Sequence, residues 1–560
     1  MSGWKYAFSL TKEQVAEAEP PGTVRLIEHD LTRTRSGRNQ QEDHVQLLPQ
    51  PTRNARDPLN VCNQHPTVRP MYSPLSCYQW PLWRKYCVLL TMALYGFVAN
   101  FAASIVAPAI PIMMFQMAPP HSPPVSTSKL TKLVAVNVLM MGVSNIFWVP
   151  LANTFGRRPV LIASMLLATV FSIWAGVADS FGSLLAARVM QGLGYAPADT
   201  IAPDVAAEVF FIHERGRAIA IYTLLLALGP TVGGICGGYI AGNLGYRYIF
   251  YISAALLGFV LLCQVFLVPE TLFDRQRHLV EEQHPVVSGE GSLSDEKANV
   301  QMIERTMPGE KQTLSFGQSL KVGTYQGSFM KHLLDPWRSL AFPGVWVVLL
   351  HYGGLLGGLV TISTIGPQLL AQPPYLWGND VGLIGLGAFV GTILGGASTY
   401  FLADFWMKRA AKKISNGLAE PETRLPVMFL ALFLAFTGMW TFGFSAANPS
   451  PHAWAGMVVG YGMVGFGITQ IPSIGFNYII DSYNAISSDC FVMTTISRSV
   501  VSFAWTFFVA DWVAADGAAM PFGIFGMIMA IFALLTIPLW LFGKRMRIAT
   551  AGYLPKHSNH

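Results

Sequence analysis

Apolar residues fall in long runs along this chain, separated by short polar gaps. Three stretches contain no Asp, Glu, Lys or Arg at all: between Lys85 and Lys129, between Arg338 and Asp380, and between Arg424 and Asp481. A helix needs about 20 apolar residues to cross hydrocarbon, so each stretch holds one or two crossings. The runs predict twelve spans, near 87–113, 133–152, 159–178, 182–209, 217–241, 248–269, 341–371, 381–403, 425–446, 453–480, 490–514 and 521–543. The long polar break at 270–340 divides them six and six. The expected organisation is a disordered N-terminal region (1–84), a six-helix bundle (85–270), a central loop (271–339), a second bundle (340–545) and a short tail (546–560). The first 80 residues, polar and rich in Pro, are expected to be largely without contacts to either bundle.

One pattern occurs twice. Leu151-Ala152-Asn153-Thr154-Phe155-Gly156-Arg157-Arg158 closes the hairpin between the second and third spans, and Leu402-Ala403-Asp404-Phe405-Trp406-Met407-Lys408-Arg409 occupies the equivalent gap 251 residues later. A basic turn recurring half a chain away implies two homologous membrane halves related by an axis along the membrane normal. The expected fold class is therefore an all-α membrane protein, with twelve transmembrane helices in two pseudo-symmetric six-helix bundles.

Composition agrees: 52% of the residues are hydrophobic and only 12% charged, against about 25% in soluble domains. Basic residues gather after even-numbered spans, at Arg157, Arg158, Arg275, Arg277, Lys408, Arg409, Lys412, Lys413 and in the tail at Lys544, Arg545 and Arg547. The positive-inside rule then places both termini and the central loop in the cytoplasm. Topology, and not nucleic-acid binding, accounts for the net charge of +6. No cleavable signal peptide is visible in the first 80 residues, so the first span is expected to direct insertion. Six cysteines lack framework or ligand spacing and read as small buried hydrophobes. Between Asp57-Pro58-Leu59-Asn60 and Trp80-Pro81-Leu82-Trp83 lie nineteen residues, Val61 to Gln79, whose ends fit a small phase-zero intron. That stretch reads either as a translated intron or as a disordered insertion.

Three motifs carry a family resemblance. Asn153-Thr154-Phe155-Gly156-Arg157-Arg158-Pro159 resembles the loop signature of the major facilitator superfamily, Arg188-Val189-Met190-Gln191-Gly192-Leu193-Gly194 its fourth-span motif, and Gly229-Pro230-Thr231-Val232-Gly233-Gly234 its fifth-span antiporter motif. They stand in the expected order on the expected spans, over roughly residues 85–545. Val268-Pro269-Glu270-Thr271-Leu272-Phe273 and His213-Glu214-Arg215-Gly216-Arg217 are similar to fungal twelve-span drug:proton antiporters, most of all the organic-cation and polyamine branch. Val149, Asn153, Thr154 and Met407 depart from the loop pattern.

Charges in mid-membrane are expensive and so mark function. Arg188 and Asp199 lie eleven residues apart, about three turns, which places them within about 20° of one helix face, although Pro197 blurs the phase. They are the proton-coupling candidates; the bland alternative is an Arg that satisfies backbone carbonyls. Asn100, Gln191, Tyr195, His351, Tyr352, Gln470, Asn477 and Tyr478 are substrate-binding candidates, or else interhelical hydrogen-bond partners. Gly156, Arg157, Arg158, Asp204, Glu208, Arg215, Arg217, Asp404, Lys408 and Arg409 could form a cytoplasmic gate, or a solvated charge cluster. Gly229, Pro230, Gly233 and Gly234 form a close-packing helix surface.

No nucleotide loop, nucleophile elbow or metal-spaced cluster is present, so no enzyme activity and no cofactor or metal is expected. The chain reads as a secondary transporter of a small organic solute, cationic or amphipathic, by proton-coupled export. Uptake of polyamines or organic cations is the alternative within the class, and a non-transporting membrane sensor the alternative outside it. Its expected partners are that solute, protons and lipid, as a monomer, in the plasma membrane or else the vacuolar membrane.

Overall fold

The structure, a computed structural model, describes residues 82–117, 123–210, 212–272, 329–413, 418–483 and 486–553, with shorter stretches between residues 3 and 44. The segment Val61–Gln79 lies outside the described residues.

The first span is Leu82–Ser104, prolonged after a turn by Ile110–Gln116. The second is Thr127–Val143 with Asn145–Phe155, and the third Arg157–Val177. The fourth is divided into Phe181–Tyr195 and Pro197–Val209, the fifth is Ile212–Leu244 and the sixth Tyr246–Leu267. The second half follows with Pro343–Leu370, Gly385–Lys413, Met428–Ala447, Ala453–Ser482, Ser487–Asp516 and the pair Ala519–Leu534 and Thr536–Thr550. Among the described residues, eleven stretches are long and apolar enough to cross a membrane. The fourth span, two helices that meet at Ala196 ahead of Pro197, is not among them, because Arg188, Gln191, Asp199, Asp204 and Glu208 lower its hydropathy. A proline cannot donate its missing N–H, which frees a carbonyl in the preceding turn.

The packing of the first half repeats in the second, six spans on. First against fifth, third against sixth, second against fourth and third against fourth reappear as seventh against eleventh, ninth against twelfth, eighth against tenth and ninth against tenth. The two halves meet along the second and eleventh spans and along the fifth and eighth, contacts that the same two-fold exchanges. Bulky apolar side chains such as Leu166, Ile173, Phe259, Leu262 and Phe266 remain exposed on the outer faces of the third and sixth spans. On a soluble protein such a surface would drive association; around a helical bundle it is the surface presented to lipid.

Two ends differ from the expectation. Gly3–Ser9 forms a helix that packs on the last helix, where Arg545 donates to the Phe8 carbonyl at 3.1 Å and the Phe8 and Phe542 rings lie 6.2 Å apart. Within the first 80 residues, expected to be largely without contacts to either bundle, this stretch is an exception. Trp4, Tyr6 and Phe8 give it more apolar surface than its polar surroundings suggested. The last helix runs to Thr550, past the expected end at 545. Its Arg547 is buried, donating to both carboxylate oxygens of Glu422 at 2.7 Å, so a residue counted as tail charge belongs to the bundle. Strands among the described residues are short antiparallel pairs, Val24–Arg25 with Leu418–Ala419 and Glu28–Arg33 with Asn39–His44.

Candidate functional site

Arg188 is fully buried, and its partners are backbone carbonyls. The first span unwinds after Ser104, ahead of Pro108, so the Ala102 and Ala103 carbonyls lose their helical N–H donors. Arg188 supplies the replacement, donating to Ala102 at 3.2 Å, to Ala103 at 2.7 Å and to Leu133 of the second span at 3.3 Å. Its remaining hydrogen bond goes to the Gln191 side chain, which in turn reaches Ser172. The fork of five donors fits this task, since an unsatisfied carbonyl in hydrocarbon costs several kcal/mol. The fourth-span motif thus ties three helices together at a helix break. Tyr195 joins the same packing through Ser172 at 3.3 Å.

Asp199 does not pair with Arg188. The break at Ala196–Pro197 resets the helical phase, and the Asp199 carboxylate meets Arg498 of the eleventh span, 299 residues away in sequence. Both side chains are 2% exposed, and the pair joins one half of the protein to the other. Arg498 also donates to the Tyr352 hydroxyl at 3.3 Å and lies 4.9 Å above that ring. Its Nε–H has no partner among the described residues. Tyr222 anchors the same region by donating to the Ala198 carbonyl. Arg498 was missed in the sequence although a signal existed: it is the lone charge between Asp489 and Asp511 in an otherwise apolar span.

Beside the pair lies an internal cavity at the junction of the two halves. Its walls are aliphatic, with Val134, Val138 and Met141 from one side and Leu356, Leu359 and Val360 from the other. Asn100, Ser104, Ser363 and Ser499 provide neutral polar groups, and Arg498 provides the one charge among the described lining residues. Of the expected binding residues, Asn100 lines this cavity and Tyr352 reaches it through Arg498. The others lie elsewhere. His351 bonds the Phe532 carbonyl at 2.7 Å and Thr536 at 3.2 Å, bracing the break in the twelfth span. Asn477 donates to Ser473 of its own helix, and Gln470 and Tyr478 are buried in the second half away from the lining.

The Gly229–Gly234 surface packs on the first span. A Cβ at Gly233 would sit 2.6 Å from the Phe101 carbonyl oxygen, closer than any real side chain, whereas one at Gly234 would meet open space. The Pro230 carbonyl accepts from Ser104 at 3.1 Å. Close approach of backbones is the reason for glycine here.

At the end of the bundle holding the repeated motif, charges form two related clusters. Gly156 takes φ 102°, a left-handed conformation suited to glycine, and starts the third span at Arg157. The Glu270 carboxylate accepts from the Arg157 and Arg158 backbone N–H groups at 3.0 and 3.1 Å, capping that helix where its dipole favours an anion. Arg157 pairs with Glu208 at 2.5 Å and lies 3.9 Å from Asp204, and Arg158 donates to the Val265 carbonyl at 2.8 Å. Arg217 is exposed. In the second half Arg424 pairs with Asp481 at 2.9 Å, again linking the start of a third-type span to the end of a fourth-type one. The side chains of Arg215, Asp404, Lys408 and Arg409 lie outside the described residues. At the opposite end Ser128 donates to Asp511 at 2.9 Å across the two halves, and Arg247 pairs with Asp179 at 2.5 Å.

Comparison with known proteins places this architecture. The chain is 23% identical to the efflux pump radE of Floropilus chiversii, over 85% of its own length and 83% of that protein's. It is 22% identical to Protein HOL1 of Saccharomyces cerevisiae, over 94% and 93%, and 25% identical to the efflux pump FUBT of Fusarium oxysporum, over 84% and 74%. Among solved structures, the proton:xylose symporter XylE superposes with a TM-score of 0.55 at 15% identity, covering 83% of this chain and 96% of that one. The human organic anion transporter MFSD10 gives 0.53 at 15%, over 82% and 100%. These two share the fold. The sequence profile of the Major Facilitator Superfamily matches residues 92–486, and the chain belongs to that superfamily of membrane transporters.

Proposed function

We propose that this transporter moves a small amphipathic organic solute by alternating access and couples the movement to protons through the Asp199–Arg498 pair. The observation that carries the reading is the pair itself: two opposite charges, buried at mid-bundle, one on each half, with Arg498 the one charge that the described residues place in the cavity wall. Protonating Asp199 cancels its attraction for Arg498, so the contact joining the halves depends on proton occupancy. The Arg157–Glu208 and Arg424–Asp481 pairs stand where the motif end must open and close. Loop charge supports a cytoplasmic location for that end and for both termini. The names of the radE and FUBT efflux pumps support export, across the plasma membrane or else into the vacuole.

The sign of the solute sets the form of coupling. A solute cation would compete with the proton for Asp199, giving exchange as the fifth-span motif implied; a solute anion would compete with Asp199 for Arg498, giving co-transport. Purified protein in vesicles with an imposed pH gradient tests the common element. Gradient-driven flux of an amphipathic solute panel is expected, and Asp199→Asn should abolish its dependence on the gradient while permitting solute exchange. Flux indifferent to the gradient in the unaltered protein refutes proton coupling.

A further inference from the structure

We infer that the solute is an amphipathic carboxylic acid, held by Arg498 and carried together with a proton on Asp199. The inference rests on the proton-coupled reading above and specifies its substrate.

The lining of the cavity argues for the charge. Two means of holding an organic cation are a carboxylate and a cage of aromatic faces. Among the described residues the lining contains neither: it has no Asp or Glu and no Phe, Tyr or Trp. Asp199 is outside the lining and already engaged by Arg498, so the charge that the cavity presents is the guanidinium. Arg498 itself faces the cavity, is 2% exposed, and keeps an Nε–H with no partner among the described residues. A guanidinium fork is built for two parallel bonds to one carboxylate, and Asp199 uses only one of its terminal nitrogens. Ser104, Ser363 and Ser499 add hydroxyl oxygens around the same space, the first two donating to the Pro230 and Val360 carbonyls, while the Val, Leu and Met walls suit an aliphatic or alicyclic body.

Binding then becomes an exchange. The solute carboxylate forms its bonds to Arg498, the Asp199–Arg498 contact breaks, and the released Asp199 carboxylate takes a proton from water. The other titratable groups around it are Tyr95, Tyr222 and Tyr352, phenols that neither replace Arg498 as a counter-charge nor take up the proton. One buried positive and one buried negative charge are present before and after the exchange, since the solute anion replaces the aspartate anion. Solute and proton move in the same direction with no net charge transferred. Export therefore proceeds whenever the cytosolic concentration of the acid exceeds what the inward proton gradient holds back.

The test is calorimetric titration of the purified full-length protein with hexanoate, hexylammonium and hexanol, in two buffers of different ionisation enthalpy so that proton uptake is measured directly. Saturable hexanoate binding is expected, with a proton taken up for each solute bound and little binding of hexylammonium. Arg498→Gln should weaken hexanoate roughly ten- to hundredfold, the worth of a charge-assisted hydrogen bond. Asp199→Asn should bind it at least as tightly as the unaltered protein but without proton uptake, a readout that loss of folding cannot imitate. Preferential hexylammonium binding with proton release overturns the anionic class and leaves proton coupling standing. Hexanoate binding with no proton uptake overturns the exchange and the proton-coupled reading with it. Binding of none of the three overturns the inference.

Discussion

Replacing either member of the Asp199–Arg498 pair should destabilise the protein far more than replacing both. Each side chain is 2% exposed, so neither can fall back on bulk water when its partner is lost. Removing one partner of a buried pair typically costs about 3–5 kcal/mol, because the other charge remains desolvated. Arg498→Met would also forfeit the 3.3 Å bond to Tyr352, adding about 1 kcal/mol. Asp199→Leu leaves Arg498 with that neutral hydroxyl as its named partner. The double variant Asp199→Leu with Arg498→Met removes both charges and fills the space with apolar side chains of similar volume, a change that is often neutral or stabilising. The expected coupling energy is therefore at least about 5 kcal/mol, with the double variant within about 1–2 kcal/mol of the unaltered protein. Reversible unfolding of the purified protein in mixed micelles of mild detergent and dodecyl sulfate, followed by far-ultraviolet circular dichroism, supplies the four free energies of the cycle. If the two single costs simply add in the double variant, the two side chains do not interact and the site described here is wrong.

Arg188→Met should lower expression and unfolding free energy by about 3 kcal/mol or more, since several buried carbonyls lose a charged donor. Arg188→Lys should recover only part of this, having a point charge in place of a fork, and in surviving protein the pH profile of flux should be unchanged. Glu270→Ala should cost about 1 kcal/mol in the same unfolding assay, the worth of a helix cap, and a drop several times larger would mean that Glu270 also holds Arg157 in place. Epitope tags at Met1 and His560 should both be reached only from the cytosol and one inserted between Asn448 and His452 only from outside, as judged by antibody binding to intact and permeabilised cells.

The sequence alone determined the scale of the architecture. Charge-free runs of the right length give the spans because hydrocarbon admits only helices whose backbone groups bond within themselves. The repeated basic turn gives the two halves, and small residues at Gly229 and Gly233 give a close helix contact. All of these are local or periodic signals. The tertiary structure decided what the charges do. Arg188 and Asp199 share a face on an unbroken helix, yet the break at Ala196 turns Asp199 toward a residue 299 positions away. Arg188 finds its acceptors at a helix break in another span, which no spacing within its own motif encodes. Glu270 and Arg157 become helix cap and capped end only when the sixth and third spans pack. Hydrophobic periodicity is a property of single helices and survives in one dimension. A buried charge must be paired wherever the fold brings a partner, and that choice is made only when twelve helices are assembled.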